Sequence, residues 1–164
     1  MAAAEQTFQK LVAQLDYPMF IATVATDEGR AGCLIGFATQ CSIRPLRFLA
    51  GISDKNHTHR VAQRATAMGI HLVPEDATEL AELFGGETGD ELDKFERCSW
   101  RTGPEGVPLL DHCPNRFVGR ILERVASATT PGWSWSPSSP SSREPTASSA
   151  STARSASIPD TKPE

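Results

Sequence analysis

Apolar residues recur with two different periods along the first 126 residues, and each period predicts a different element. A spacing of three and four predicts an amphipathic helix over residues 3–15, carried by Phe8, Leu11, Val12 and Leu15. Pro18 prevents the helix from continuing, because proline breaks a helix interior. Residues 19–26 are then rich in Ile, Val, Thr and Phe, which favours a strand.

Two more strands are predicted directly afterwards. Gly29 belongs to a predicted turn over residues 27–30, where a glycine tolerates positive φ. Residues 32–43 predict a second strand interrupted by a glycine. Pro45 separates it from a third strand over residues 46–53.

The pattern then alternates between helix and strand. A short helix is predicted over residues 58–66 and a strand over residues 69–73. Asp76 and Glu79 have the spacing of a capping box before an apolar helical face, and a Gly-Gly pair is a typical helix end. The remaining predictions are a helix over 90–97, a loop with a short strand over 100–110, and a last strand over 115–125, with a helix over 117–122 as its alternative.

The predicted order β-β-β-α-β-α-α-β indicates the fold class. The early strands are joined by turns that are too short for the crossovers that a parallel sheet needs. A mainly β fold with helices, an antiparallel or mixed barrel, is therefore expected rather than a doubly wound sheet.

Composition divides the chain in two. From Ser127 to Glu164, 23 of 38 residues are Ser, Thr or Pro, and Ile158 is the only aliphatic residue larger than Ala. Such a segment buries too little apolar surface to offset the entropy of ordering. We therefore expect one domain over residues 1–126 and a disordered Ser/Pro/Thr-rich tail over residues 127–164.

Charge and composition exclude several classes of protein. Sixteen basic against 20 acidic residues give a net charge of −4, unlike the basic face of a nucleic-acid binder. No apolar run approaches the roughly 20 residues that span a bilayer, and residues 1–10 lack the order of a signal peptide. A protein of the cytoplasm, without nucleic-acid or membrane partners, is expected.

Polar residues crowd the junction between the third strand and the following helix. Ser53, Lys55, Asn56 and Thr58 bring hydroxyls, an amide and an amine to a helix start, a combination suited to a phosphate group. The alternative is ordinary helix capping by Asn56 or Thr58 with solvated charges around it. The junction alone leaves both interpretations open.

Several segments, in order and spacing, resemble flavin reductase-like proteins with an FMN-binding split barrel. The resemblance covers roughly residues 17–122. It rests on the Gly-containing strand and Pro corner of residues 31–45, the polar turn of 53–58, the LAELFG helix of 80–85, Lys94-Phe95, and the VPLL segment of 107–110.

Carried over position by position, the resemblance implies a flavin site with two halves. Thr39, Gln40, Cys41 and Ser42 would line the isoalloxazine ring, and Ser53, Lys55, Asn56 and Thr58 would hold the ribityl phosphate. Two departures affect the ring contacts. Gly36-Phe37 stands where many relatives have Ser-Ser, and Arg44-Pro45-Leu46 stands for Asp-Pro-Pro.

The resemblance further implies an NAD(P)H-dependent flavin reductase, with FMN as cofactor and FAD as the alternative. A homodimer and a partner oxygenase, in a two-component monooxygenase, are implied as well. The flavin itself would supply the redox chemistry, so no catalytic nucleophile is predicted.

Other chemistry-bearing residues are interpreted as structural. Cys98, His112 and Cys113 lack the paired spacing of zinc ligands, so no metal site is predicted. Cys33 and Cys41 are interpreted as small core residues, and His71 as a structural residue of a strand. Trp133 and Trp135 suggest an interaction protein that uses its tail as one alternative function.

The tail also has the features of a shifted reading frame. Relatives continue past this point with Gly-Asp-His and an apolar strand. If GC-rich codons are assumed and the reading frame is moved one base earlier, the codons from Ser127 onward encode Val-Gly-Asp-His-Ala-Gly-Leu-Val-Leu-Glu-Pro. A barrel that is incomplete at its C-terminal end, and a protein that binds flavin without turnover, follow as expectations. A genuine Ser/Pro-rich linker is the alternative.

Overall fold

The computed structural model describes residues 2–127 and 148–155. In this part of the chain three helices and nine strands form one large antiparallel sheet, a small hairpin and a thin helical cover. The helices are α1 (Ala2–Val12), α2 (His57–Ala62) and α3 (Thr78–Gly86). The strands are β1 (Phe20–Thr26), β2 (Gly29–Ile35), β3 (Ala38–Ser42), β4 (Arg47–Gly51), β5 (Ala67–Leu72), β6 (Trp100–Thr102), β7 (Pro108–Leu110), β8 (Arg116–Ser127) and β9 (Ser148–Ser155).

The large sheet curls into an incomplete barrel. Its strand order is β2-β1-β5-β8-β9-β4-β3, and all neighbours run antiparallel. Only Gly36 and Phe37 separate β2 from β3, although these strands are the two ends of that order. The ends are joined by the chain and by no ladder among the described residues, so the sheet is not closed. This confirms the predicted mainly β fold with an incomplete barrel.

The second predicted strand is two strands in the structure. Ile35 of β2 pairs with Phe20 of β1, whereas Ala38 of β3 pairs with Ala50 of β4. The chain changes partner at Gly36, where a side chain would press against the Met19 sulfur. The single run predicted from the sequence therefore forms two strands, which pair with β1 and with β4.

Strand β1 explains why the core lies on both faces of the sheet. Ala22 and Val24 face the barrel interior, while Ile21 faces the outer layer with Phe84 of α3. Because successive side chains of a strand point to opposite faces, a strand buried on both sides reads as a continuous apolar run. The interior also holds a chain of edge-to-face rings, Phe20 to Phe48 at 5.7 Å and Phe48 to Phe117 at 5.2 Å between centroids.

Three local predictions are corrected. The capping box of Asp76 and Glu79 does not form, because the N-cap of α3 is Ala77 and no side chain caps it. The helix predicted over residues 90–97 is only a 3-10 helix over Lys94–Arg97. Asp93 is its N-cap, and the Asp93 carboxylate accepts a hydrogen bond from the Phe95 N–H. Cys33 is buried as predicted, but Cys41 is exposed on β3.

Part of the predicted tail is placed as a strand. Ser148–Ser155 form β9, which pairs with both β8 and β4 and differs there from the predicted disorder. Strand pairing uses backbone N–H and C=O groups, so a serine-rich segment satisfies it without apolar side chains. Residues 128–147 and 156–164, with Trp133 and Trp135, lie outside the described residues, and their disorder stays a prediction.

Candidate functional site

The turn between β4 and α2 is held by its own polar groups. The Asn56 side chain accepts from the Thr58 N–H at 3.0 Å and caps α2, as one of the two sequence interpretations has it. The Asn56 N–H donates to the Ser53 carbonyl at 3.0 Å, and the Ser53 hydroxyl accepts from the Lys55 N–H at 3.4 Å. Ser53 and Asn56 are half-buried, and the Lys55 amine is in solvent.

Thr58 is placed differently from the other residues of the predicted phosphate group. Its side chain is 1% exposed, and its hydroxyl hydrogen-bonds with the Cys33 thiol of β2. The hydroxyl therefore faces the barrel and not the outer side of the turn. Asn56 already takes the Thr58 N–H, so neither group of Thr58 is available to a phosphate.

Two other backbone donors of the turn fit an anion. No acceptor among residues 2–127 and 148–155 meets the N–H groups of Asp54 and His57. Such donors at the start of a helix, beside an amine, have the chemistry that a phosphate needs. The donor set of this turn thus comprises two N–H groups, the Lys55 amine and the Ser53 hydroxyl.

The predicted ring-binding residues lie on the edge strand β3. Thr39, Gln40 and Cys41 are exposed, and Ser42 is half-buried. The only hydrogen bonds that their side chains make among the described residues are local, from Thr39 to the Gln40 carbonyl at 3.3 Å and from Gln40 to the Ser42 carbonyl at 3.2 Å. Their polar groups remain accessible to a ligand.

The antiparallel register brings the two predicted halves of the site to one hairpin. Ala38 pairs with Ala50, and the Gly51 N–H donates to the Phe37 carbonyl at 2.7 Å. The first residues of β3 thus lie beside the last residues of β4, from which the polar turn departs. Gly51 is required here, since a Cβ would lie 3.1 Å from the Phe37 carbonyl oxygen and from its Cβ.

An apolar groove, which the sequence did not reveal, lies at the other end of the same hairpin. It has a volume of about 630 Å³, within the range of small-molecule sites. The rings of Phe20, Phe48 and Phe117 line it, with Gln40 and Arg47 among its polar lining residues. Gln40 therefore belongs both to the predicted ring site and to the groove.

A cluster of charged residues borders the polar turn on its helical side. The imidazole Nδ1 of His57 lies 2.9 Å from Oδ1 of Asp90, and Arg60 contacts the same oxygen. His57 and Asp90 line a second cleft of about 370 Å³ that also reaches the buried Lys94. His57 and Asp90 are 33 positions apart in the chain, and no sequence pattern indicates this contact.

Burial shifts the pKa values of three further titratable side chains, those of Cys33, Cys98 and His71, away from neutral pH. Burial raises the pKa of the Cys33 and Cys98 thiols to about 11, so both are protonated at neutral pH. His71 is fully buried, with its Nδ1 at 3.1 Å from the Ile21 carbonyl and its Nε2 accepting from the Leu110 N–H at 3.2 Å. Burial lowers its pKa to about 4. The structural interpretation of His71 is confirmed.

The described residues contain no cluster of three or more His, Cys, Asp or Glu residues arranged for a metal ion. The helices in this part of the chain include none that is long and apolar enough to cross a bilayer.

Comparison with known proteins identifies sequence relatives. The model of the family described as Flavin reductase like domain matches residues 12–132. A ferric-chelate reductase (NAD(P)H) of Archaeoglobus fulgidus is 24% identical over 98 residues, which are 59% of this chain and 58% of that protein. An FMN reductase (NADH) of Yersinia enterocolitica is 24% identical over 129 residues, 79% of this chain and 70% of that protein.

Comparison with solved structures concerns the fold. A flavin reductase domain protein from Arthrobacter sp. FB24 superposes with a TM-score of 0.72 at 20% identity, over 93% of this chain and 82% of that one. The chain spans little more than half the length of the archaeal relative. At identities this low, the structural similarity establishes the architecture only. The activity has to be argued from the site.

Proposed function

The chain belongs to the family of flavin reductase-like domains, and from this premise we propose that it binds FMN and reduces flavin with NAD(P)H. One observation carries the proposal. The register of β3 with β4 joins an accessible polar edge, Thr39 to Ser42, to the donor-rich turn that follows Gly51. A flavin mononucleotide has the matching order of groups, a polar-edged ring at one end and a phosphate at the other.

We assign the phosphate to the turn. The Lys55 amine, the Ser53 hydroxyl and the N–H groups of Asp54 and His57 would hold it, while Asn56 keeps the turn in shape. Thr58 contributes only by anchoring the start of α2 to Cys33. FAD has the same ring and a diphosphate, and it is the alternative cofactor.

We assign the ring to β3. Thr39, Gln40, Cys41 and Ser42 offer short polar side chains and the unpaired backbone side of an edge strand to the ring nitrogen and oxygen atoms. When bound, the flavin supplies the hydride chemistry, and the nicotinamide is its reductant. The residues of this chain bind the flavin and orient its ring.

The proposal includes a homodimer, a partner oxygenase and a cytoplasmic location. Leu11 of α1 and Leu15, three residues after the end of α1, are 59% and 50% exposed, which suits a face covered by a second copy. A flavin reductase needs a consumer of reduced flavin, and an oxygenase is the expected one. The cytoplasm supplies reduced nicotinamide.

Comparing FMN with riboflavin tests the phosphate assignment, because riboflavin lacks only the phosphate. Replacing Ser53 and Lys55 together by Ala should weaken FMN binding roughly tenfold, about 1.4 kcal/mol, and leave riboflavin binding unchanged. Lys10→Ala, which removes an exposed amine from α1, is the matched control. Fluorescence titration measures both affinities, and equal losses for the two flavins would reject the assignment.

A second candidate function is flavin binding without turnover. It is favoured by residues 127–164, which contain no Gly-Asp-His segment. NADH oxidation at saturating FMN separates the two functions. The chain should turn over far more slowly than a version in which Val-Gly-Asp-His-Ala-Gly-Leu-Val-Leu-Glu-Pro begins at residue 127, because hydride transfer needs the two rings about 3–3.5 Å apart. Equal turnover of equally folded proteins would remove the second candidate.

A further inference from the structure

A surface loop that follows α3 reaches the polar turn through one carboxylate. Oδ1 of Asp90 lies 2.9 Å from Nδ1 of His57, and Arg60 donates to the same oxygen. His57 is the first residue of α2 and directly follows the N-cap Asn56. Two side chains of one short helix are therefore tied to a single atom of a distant loop.

The carboxylate is fixed by its own loop. Thr88 donates from its hydroxyl to the other Asp90 oxygen at 3.4 Å, and the Asp90 N–H donates to that hydroxyl at 3.3 Å. The hydrogen bonds from Arg60 and then His57 hold the pKa of Asp90 at about 2. Asp90 is consequently charged across the whole neutral range.

The loop backbone packs against the same imidazole. A Cβ on Gly89 would lie 2.8 Å from Cδ2 of His57 and 3.2 Å from its Cγ. A polar contact to Asp90 and a close contact to Gly89 thus fix the ring. The ring in turn fixes the backbone between Asn56 and Thr58, where the His57 N–H lies.

The geometry points to Asp90 as the positioning residue of the flavin-phosphate turn, holding His57, and with it the donors of residues 53–57, in the binding conformation before the ligand arrives. The inference rests on the proposed function. A donor set that is already in place spares the ligand the ordering cost of a loop, which otherwise subtracts from affinity. Asp90 does not touch the phosphate, so it is a positioning and not a binding residue.

Electrostatic repulsion and positioning predict opposite changes in FMN affinity when Asp90 is removed. A carboxylate near a phosphate repels it, so removing the charge alone would tighten FMN binding. Arg60 already offsets that charge, and the site is exposed, so this repulsion is screened. Positioning predicts weaker binding, and the direction of the change therefore decides.

The test compares five chains, the wild type and four variants, by fluorescence titration with FMN and with riboflavin, at one ionic strength. Asp90→Ala should weaken FMN binding five- to tenfold and leave riboflavin binding unchanged. Asp90→Asn keeps an acceptor for His57 and should restore most of the affinity. Asp111→Ala, which breaks the exposed pair with Arg101 far along the chain, is the matched control and should match the wild type.

An unchanged or tighter FMN affinity of the Asp90→Ala chain overturns the inference. A wild-type chain that binds FMN and riboflavin equally overturns the phosphate assignment instead, and the inference falls with it. Gly89→Ala retains the carboxylate but pushes the His57 ring aside, so it should also weaken FMN and not riboflavin. Equal melting temperatures of the variants show that loss of fold is not the cause.

Discussion

The two ends of the large sheet are stabilised in different ways. Strands β1, β2 and β5 are covered on the outer face by α3 and the β6–β7 hairpin and filled inside by apolar side chains. The β3–β4 hairpin has one half-covered strand, β4, and one edge strand, β3, whose central residues are exposed. Side-chain packing on both faces holds the first region, whereas the second is packed only through the inner face of β4, and β3 is held mainly by backbone pairing.

This difference separates stability from binding. The packed region has the buried contacts that set the free energy of unfolding, and its polar groups are satisfied internally. The hairpin and the turn after it present polar groups with few internal partners, as binding segments on a rigid scaffold generally do. Substitutions should therefore affect unfolding in one region and FMN affinity in the other.

The largest effect is expected at Phe84, at the centre of the outer layer. Its ring is 1% exposed, packs edge to face on Phe95 at 5.5 Å, and lies against Gly32, where a Cβ would be 2.6 Å away. Phe84→Ala should destabilise the protein by about 3–5 kcal/mol, since a large cavity opens in a packed layer. Urea unfolding measures this, and a loss below about 1 kcal/mol would break the comparison.

A smaller effect is expected from pH through His71. Its pKa is about 4 in the folded chain and 6.5 when unfolded, so the unfolded chain binds the extra proton. Stability is full above pH 6.5 and should fall by about 3 kcal/mol as the pH decreases towards 4. Urea unfolding at several pH values should show a weaker dependence for His71→Gln than for His112→Gln, an exposed control. Identical slopes would contradict the assignment.

The smallest effect compares one residue type in both regions. Thr23 of β1 is fully buried and donates to the Pro108 carbonyl at 2.8 Å, whereas Thr39 of β3 is exposed. Thr23→Val should cost about 1–3 kcal/mol because a buried acceptor loses its donor. Thr39→Val should change stability by less than about 0.5 kcal/mol and weaken FMN binding instead. Equal stability losses at the two positions would show that the regions do not differ.

Much of the fold follows from local sequence. The β-branched run after Pro18 forms β1. Residues 117–122 belong to strand β8 and not to the alternative helix, because Ala67 to Ile70 of β5 pair with residues 117–120. The break at Gly36 could be suspected from the glycine alone. The change of partner there depends on β4, and no local pattern contains it.

The polar turn was predictable in position, but its contacts were not. Ser53, Lys55 and Asn56 lie together on the turn as their polarity suggested. Thr58 is buried because the first turn of α2 rotates its hydroxyl to Cys33, a contact 25 residues away in sequence. The contact of Asp90 with His57 likewise joins residues that only the tertiary fold brings together.

The position of β9 late in the sequence determines the order in which the strands of the sheet can pair during synthesis. Strand β9 lies between β8 and β4, so the pairing of Phe48 on the β9 side of β4 must wait for Ala153, whereas its pairing with Gln40 of β3 does not. On the ribosome, β1, β2 and β5 emerge and pair about 80 residues before that partner is made, and contacts this distant in sequence form slowly. Until Ser148–Ser155 are made, the backbone groups of β4 that face β9 therefore lack their partner strand.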